Sequence, residues 1–228
     1  MIPPYESMLQ RVVMTTLIFA NGDLQGQDWV RPLLADAGLV IAADGGARHL
    51  RRLGRPPDLV IGDMDSLPRE VRSWLEDENV PLVVHPHLKD ETDLELALLH
   101  AARESEDVIV VIGGFGGRFD QTLANIMLLA HPDLAGRRVE LRSEYERAWL
   151  VRDHTVVEGA VGDTLSLIPL GGNVLVARTD GLQWSLENET LEFGPARGVS
   201  NVMTEPVATI TVSTGTLLCL HSSKEWGR

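Results

Sequence analysis

The segment Pro57-Asp58-Leu59-Val60-Ile61-Gly62-Asp63-Met64-Asp65-Ser66 sets an apolar run directly against a glycine and two carboxylates. Leu59, Val60 and Ile61 carry no charge between them, as in a strand buried on both faces of a parallel sheet. The chain turns polar at Gly62, so Asp63 and Asp65 are delivered to the carboxyl edge of that sheet. The same design recurs on either side. Apolar runs at 12–19, 39–43, 59–62, 82–85, 108–112 and 139–141 alternate with segments of helical period at 28–37, 46–53, 68–78, 92–103 and 121–131. This alternation predicts βαβ units, hence an α/β fold with a mainly parallel sheet flanked by helices on both faces. After Ser143 the helical periods stop. Strand-like runs at 148–151, 164–168, 173–178, 190–193, 207–212 and 216–221 follow, separated by glycines and by Gly194-Pro195. Such close spacing predicts an antiparallel sandwich or barrel. The expected organisation is therefore an α/β domain over residues 1–143 and an all-β domain over 144–228.

Composition narrows the function. Among 228 residues, 44% are apolar and 23% charged, which excludes disordered and fibrous classes. Twenty Lys plus Arg against thirty-three Asp plus Glu leave a net charge of −13, which argues against nucleic acid and anionic membrane as partners. One cysteine, Cys219, excludes a disulfide framework and a cysteine-rich zinc site. No stretch reaches the roughly 18 apolar residues of a membrane span. The run Val12 to Ala20 is preceded by Glu6 and a single basic residue, Arg11, and reads as a first strand rather than a signal peptide. The expected location is the cytoplasm.

In an open parallel sheet, ligands bind outside the carboxyl ends of the strands, at the point where strand order reverses. The residues there are Asn21-Gly22-Asp23, Asp44-Gly45-Gly46, Gly62-Asp63-Met64-Asp65-Ser66, Lys89-Asp90-Glu91-Thr92-Asp93 and the segment Gly113 to Asp120. A single aspartate in a turn has a structural explanation. Five loops that each bring a carboxylate to one edge point instead to a shared ligand. If the segment is extended, Asp63 and Asp65 project to the same side and can share a hard cation with Asp93. Magnesium suits such a set, because it takes a few carboxylates, several waters and substrate phosphates. The competing reading has Asp65 or Ser66 capping a helix near Pro68. Thr92-x-x-Glu95 matches a capping box, which makes Glu95 structural and leaves Asp93 free to face a metal.

The glycines at 113–117 let backbone amides approach an anion, and a helix starting near Asp120 adds a favourable dipole. Arg118 and Lys89 supply the positive charge that polyphosphate needs. Neither a P-loop nor a Gly-x-Gly-x-x-Gly fingerprint occurs. His85-Pro86-His87 has no nearby third ligand of matching type and reads as a loop. Ile126, Met127 and Leu128 read as core-facing residues. Trp184, in a turn-rich segment, packs or stacks on a flat aromatic ligand.

Together these motifs resemble thiamine pyrophosphokinases: Ala43-Asp44-Gly45-Gly46-Ala47, Pro57 to Ser66, Lys89-Asp90-Glu91-Thr92-Asp93 and Gly117-Arg118-Phe119-Asp120-Gln121, followed by Gly181-Leu182-Gln183-Trp184-Ser185-Leu186 and Val199-Ser200-Asn201. The resemblance spans residues 17 to 221. It implies an ATP-binding α/β domain, a β-sandwich domain that binds thiamine, and a homodimer with active sites at the subunit interface. The implied reaction turns ATP and thiamine into AMP and thiamine diphosphate, with Mg2+. Carried over by position, Asp63, Asp65 and Asp93 bind magnesium and form the catalytic set. Asp44, Lys89, Arg118 and Asp120 line the nucleotide and phosphate site, and Trp184, Ser200 and Asn201 hold thiamine. Asp65 and Asp93 are both candidate acceptors of the hydroxyl proton. Two residues depart from the family pattern: Arg48, where Asn is frequent, and Gln121, where His is frequent.

Overall fold

The structure, a computed structural model, describes residues 15–104 and 108–224. The first three residues of the first predicted strand, 12–14, lie outside these. Six parallel strands form the first half: β1 (Thr15–Phe19), β2 (Ala37–Ala43), β3 (Leu59–Gly62), β4 (Leu82–Val84), β5 (Val108–Ile112) and β6 (Val139–Arg142). Their spatial order is β4-β3-β2-β1-β5-β6. The chain thus builds outward from β1 in one direction, then crosses back to β5, and the reversal opens a crevice between β1 and β5.

Period-two alternation along β1 explains the layers. Leu17 and Phe19 face α1 (Val30–Ala35), α2 (Ala47–Leu53) and α3 (Arg69–Asp77), with Leu50 and Leu75 fully covered there. Ile18 and Ala20 face the other way, toward α4 (Asp93–Glu104) and the apolar side of α5 (Phe119–Leu128). Leu17, Ile18 and Phe19 are completely buried, so each contributes roughly 1.5–3 kcal/mol. Phe19→Ala is expected to cost about 3–5 kcal/mol.

The two halves share one sheet. Ser143 N donates to Glu146 O across a tight turn, and β7 (Glu146–Val151) then pairs antiparallel with β6. Beyond β7 lie β14 (Leu217–Ser222), β9 (Thr164–Pro169) and the short β12 (Asn201–Val202), giving ten strands in all. A second antiparallel sheet, ordered β11-β10-β13-β8, covers this end; its strands are β8 (His154–Glu158), β10 (Val174–Asp180), β11 (Glu187–Leu191) and β13 (Val207–Thr214). Leu165, Val176, Met203, Ile210 and Cys219 fill the space between the sheets, so the second half is a sandwich. Cys219 is completely buried, and burial pushes its thiol up, which leaves it inert.

Two strands escape the sequence pattern. Of the five residues of β8, only Val157 is buried, so its alternation is weak. The two residues of β12 are too few to show any period. Met127, expected in the core, is 48% exposed, while its neighbours Ile126 and Leu128 pack against the core.

Candidate active site

A cleft of about 450 Å3 opens at the carboxyl ends of β1 and β5, the crevice that the strand order defines. Its walls include Asp44, Lys89, Asp93 and Arg118 together with Gly113, Gly114, Gly116 and Gly117. Gly22 N donates to Gly113 O at 3.0 Å, so the loops after β1 and β5 touch. A side chain at Gly22 would collide with that carbonyl.

Asp44 is 2% exposed and adopts φ 40°, a left-handed conformation rare outside glycine. Its Oδ2 accepts from Ser66 N at 3.0 Å, while its Oδ1 is buried without a hydrogen-bond partner. Burial outweighs the Ser66 bond and pushes the carboxyl up to about 6. Gly62 makes room for this packing, because a Cβ there would lie 2.8 Å from the Cβ of Asp44 and 3.1 Å from Asp93. Lys89 reaches between two acids, 3.0 Å from Asp93 Oδ1 and 3.3 Å from Asp63 Oδ2. Although Lys89 is that close, Asp93 Oδ1 receives no aligned hydrogen bond. Burial opposes the charge on Lys89, but the two carboxylates outweigh it and hold the ammonium above its ordinary range. The amide of Asp65 chiefly, helped by His87 and Lys89, lowers Asp63 to about 2.

Asp63 is therefore the hinge of two oxygen-rich groups. It meets Asp44 and Asp93 on one side, and Asp65 and His87 on the other, with ligand atoms in each group within 4.8 Å of one another. The backbone route to this pairing is not the extended one expected. Met64 takes φ 66°, and Asp65 N donates to Asp63 Oδ1 at 3.1 Å, so the acids sit on a turn. His87 Nδ1 bridges them, 2.9 Å from Asp63 Oδ2 and 3.3 Å from Asp65 Oδ2. Neither Asp65 nor Ser66 caps α3, whose N-cap position is Pro68. Thr92 Oγ1 does accept from Glu95 N at 3.1 Å, which is half of the capping box.

Arg118 and Asp120 pair with each other at 2.5 Å on an exposed helix start, and only Arg118 lines the cleft. That pairing lowers the Asp120 carboxyl and raises the guanidinium. In the sandwich, the Asn201 amide clamps the backbone of Trp184: Oδ1 accepts from Trp184 N at 3.0 Å and Nδ2 donates to Trp184 O at 2.7 Å. Ser200 lies beside them at φ 61°, and Trp184 is 53% exposed. None of these three lines the acidic cleft.

Sequence reasoning passed over the supports of the cleft. Asn125, buried in α5, donates to Gly114 O at 2.9 Å; its only signal was polarity within an apolar helix stripe. Arg48 donates to Asn21 O and Gly22 O, and His49 Nε2 donates to Gly22 O at 2.9 Å. Burial lowers His49 to about 4, so the ring is neutral and its other nitrogen accepts from Arg52. Arg48, the departure from the family pattern, thus pins the loop after β1.

A doubly wound sheet with an acid-lined, glycine-cradled cleft at its switch point, continued into a β-sandwich, defines a nucleotide-dependent group transferase. The family model described as "Thiamin pyrophosphokinase, catalytic domain" matches residues 30–141, and "Thiamin pyrophosphokinase, vitamin B1 binding domain" matches 153–218. Thiamine pyrophosphokinase 1 of Oryza sativa subsp. japonica is 31% identical over 207 residues, covering 79% of this chain and 78% of the relative. Thiamine pyrophosphokinase of Bacillus subtilis is 27% identical over 187 residues, 81% of this chain and 87% of that one. A crystal structure of the enzyme from Bacillus subtilis superposes with TM-score 0.83 at 25% identity, covering 92% of this chain and 99% of that chain. The chain belongs to the thiamine pyrophosphokinase family.

Proposed function

We propose that this chain acts as a thiamine diphosphokinase in which ATP occupies the β1/β5 cleft and Asp44, Asp63, Asp65 and Asp93 surround the reacting phosphates. The thiamine hydroxyl oxygen bonds to the β-phosphorus, the bond from that phosphorus to the α-phosphate bridging oxygen breaks, and AMP leaves. The observation that carries this reading is the buried Asp44 Oδ1 without a partner, beside Asp63 and Asp93. Three carboxylates facing one ammonium repel a polyphosphate unless a cation joins them. An all-oxygen donor set with an orphaned, buried oxygen fits Mg2+, held by Asp63 with Asp44 and Asp93 and with Asp65 at its outer side. When bound, Mg2+ supplies neutralisation of charge on the phosphate oxygens.

The chain's own groups do the rest. Backbone amides of Gly113–Gly117 and the cations Lys89 and Arg118 hold the polyphosphate, and the two carboxylates on Lys89 keep it charged and aimed. Asp65 and Asp93 are the acceptors within reach for the hydroxyl proton. Trp184 presents a flat surface for the thiamine rings. The clamp from Asn201 makes that residue a positioning group, because its amide is spent on the Trp184 backbone.

This reading divides labour between residues 1–143 and 144–228 and invokes a homodimer. In the ten-stranded sheet, β12 with Asn201 lies eight strand spacings from β3, roughly 35–40 Å at about 4.8 Å each. A second subunit bridges that separation. No helix among the described residues is long and apolar enough to cross a membrane. Residence in the cytoplasm belongs to the same reading, and a single buried cysteine is consistent with it. Incubation with ATP, Mg2+ and thiamine should yield AMP and thiamine diphosphate in equal amounts; ADP in place of AMP would overturn the assignment.

A further inference from the structure

The loop after β4 carries a side chain that the magnesium reading leaves unused. Gly62 pairs with Val84, and His85 N donates to Gly62 O at 2.8 Å, which continues the β3–β4 register one residue past the strand. Pro86 then restricts the backbone, and His87 meets the turn that holds Asp63 and Asp65. Its Nδ1 lies 2.9 Å from Asp63 Oδ2 and 3.3 Å from Asp65 Oδ2, and the ligand atoms of the three residues are close enough to hold one ion. Two carboxylates thus converge on one imidazole nitrogen. Carboxylate oxygens only accept, so the space between the three side chains favours positive charge. The His87 side chain is 71% exposed, and an ion pair so exposed adds little to stability, which makes a purely structural role a poor account of it.

Donor chemistry separates this group from the neighbouring one. Asp44, Asp63 and Asp93 offer oxygen alone, which suits Mg2+. An imidazole nitrogen adds little for that hard cation but binds first-row transition cations, more strongly from Mn2+ to Co2+. Imidazole is also neutral, so it supplies a donor without adding to the negative charge already crowded around Asp63. We infer that His87 is a metal ligand, and that with Asp63 and Asp65 it lets the outer side of this centre bind a divalent first-row transition cation more tightly than Mg2+. The inference rests on the cation reading above and adds to it one residue and one class of ion.

Calorimetric titration of the intact, metal-free chain with Mg2+, Mn2+ and Co2+ alone tests it. His87→Gln keeps an N–H toward the two acids but offers no imidazole nitrogen. It should leave Mg2+ affinity within about two-fold, weaken Mn2+ roughly ten-fold and weaken Co2+ further. Pulsed electron paramagnetic resonance gives a direct signature: Mn2+ bound to wild type should couple to one bonded nitrogen, and the coupling should vanish in His87→Gln. Absence of nitrogen coupling in wild type, coupling that survives the substitution, or equal losses for all three cations would overturn the ligand. A chain that binds Mg2+ but shows no such coupling loses His87 alone and keeps the magnesium reading. One that binds none of the three cations loses both.

Discussion

Two aspartates are buried almost equally, Asp44 at 2% exposure and Asp163 at 3%, yet their surroundings are opposite. Asp163 lies in the sandwich with every oxygen engaged. Its Oδ2 accepts from Ala160 N at 2.8 Å and from His221 Nε2 at 2.9 Å, and its Oδ1 accepts from Lys224 N at 2.9 Å. Arg147 Nε in turn donates to His221 Nδ1 at 3.1 Å, which fixes the ring as neutral. Burial alone would raise Asp163, but those bonds outweigh it and its carboxyl sits below the ordinary range. Asp44 has one bond, one empty oxygen and a carboxyl raised to about 6. A buried carboxylate that the protein satisfies is structural; one that it leaves short is waiting for a ligand.

The sharpest way to break this contrast is to remove charge on the unsatisfied side. Asp63→Asn should reduce AMP formation by about a thousand-fold or more. It also gives up the charge that the Asp65 amide, His87 and Lys89 favour, so its melting temperature should fall by about 3–8 °C. Turnover per folded molecule that stays near wild type would mean that Asp63 belongs with Asp163 as a structural acid. On the satisfied side the expectation reverses. Asp163→Ala strands three donors and should cost about 2–4 kcal/mol, lowering the melting temperature by roughly 5–12 °C. Turnover per folded molecule, assayed well below that transition, should stay within about three-fold. A thousand-fold loss of turnover there would erase the distinction.

The contrast also explains what could be read from sequence. Runs such as Leu59-Val60-Ile61 followed by Gly62-Asp63 reveal a buried strand and the loop it feeds, because burial on both faces leaves a local apolar mark. The acids of the cleft were legible for a related reason: Asp44 and Asp63 fall directly after β2 and β3, and Asp93 ends the loop that follows β4. That Asp63 meets Asp65 and Asp93 was legible; that Asp44 joins Asp63 and Asp93, while Asp65 groups with Asp63 and His87, was not. That grouping depends on Met64 entering a left-handed turn and on Gly62 admitting Asp44, both consequences of packing between loops far apart in sequence. His87 was set aside for want of a third ligand of its own type, and the structure gives it two carboxylates instead. Strands β8 and β12 left little trace, since one faces outward along most of its length and the other has two residues.

The smallest expected effect probes Asp44 itself. Its folded pKa of about 6 lies above the ordinary 3.8, so the folded chain holds this proton more tightly than the unfolded one. The ionised group therefore opposes folding above pH 6, and that opposition fades as pH falls from about 6 toward 4. Asp44→Asn removes it. In metal-free protein at pH 8 the variant should be more stable by about 1–2 kcal/mol, roughly 3–6 °C in melting temperature, and the gain should vanish near pH 4. His49 also titrates in this window: burial depresses it to about 4, so its contribution is present above its ordinary 6.5 and is lost as pH falls toward 4. That term is common to both proteins and cancels in the difference. Added Mg2+ should then stabilise wild type more than Asp44→Asn, because the variant loses the charge of Asp44 and one of the two unpartnered carboxylate oxygens, leaving only that of Asp93. A variant that melts lower than wild type at pH 8 would mean that Asp44, like Asp163, is already satisfied by the fold.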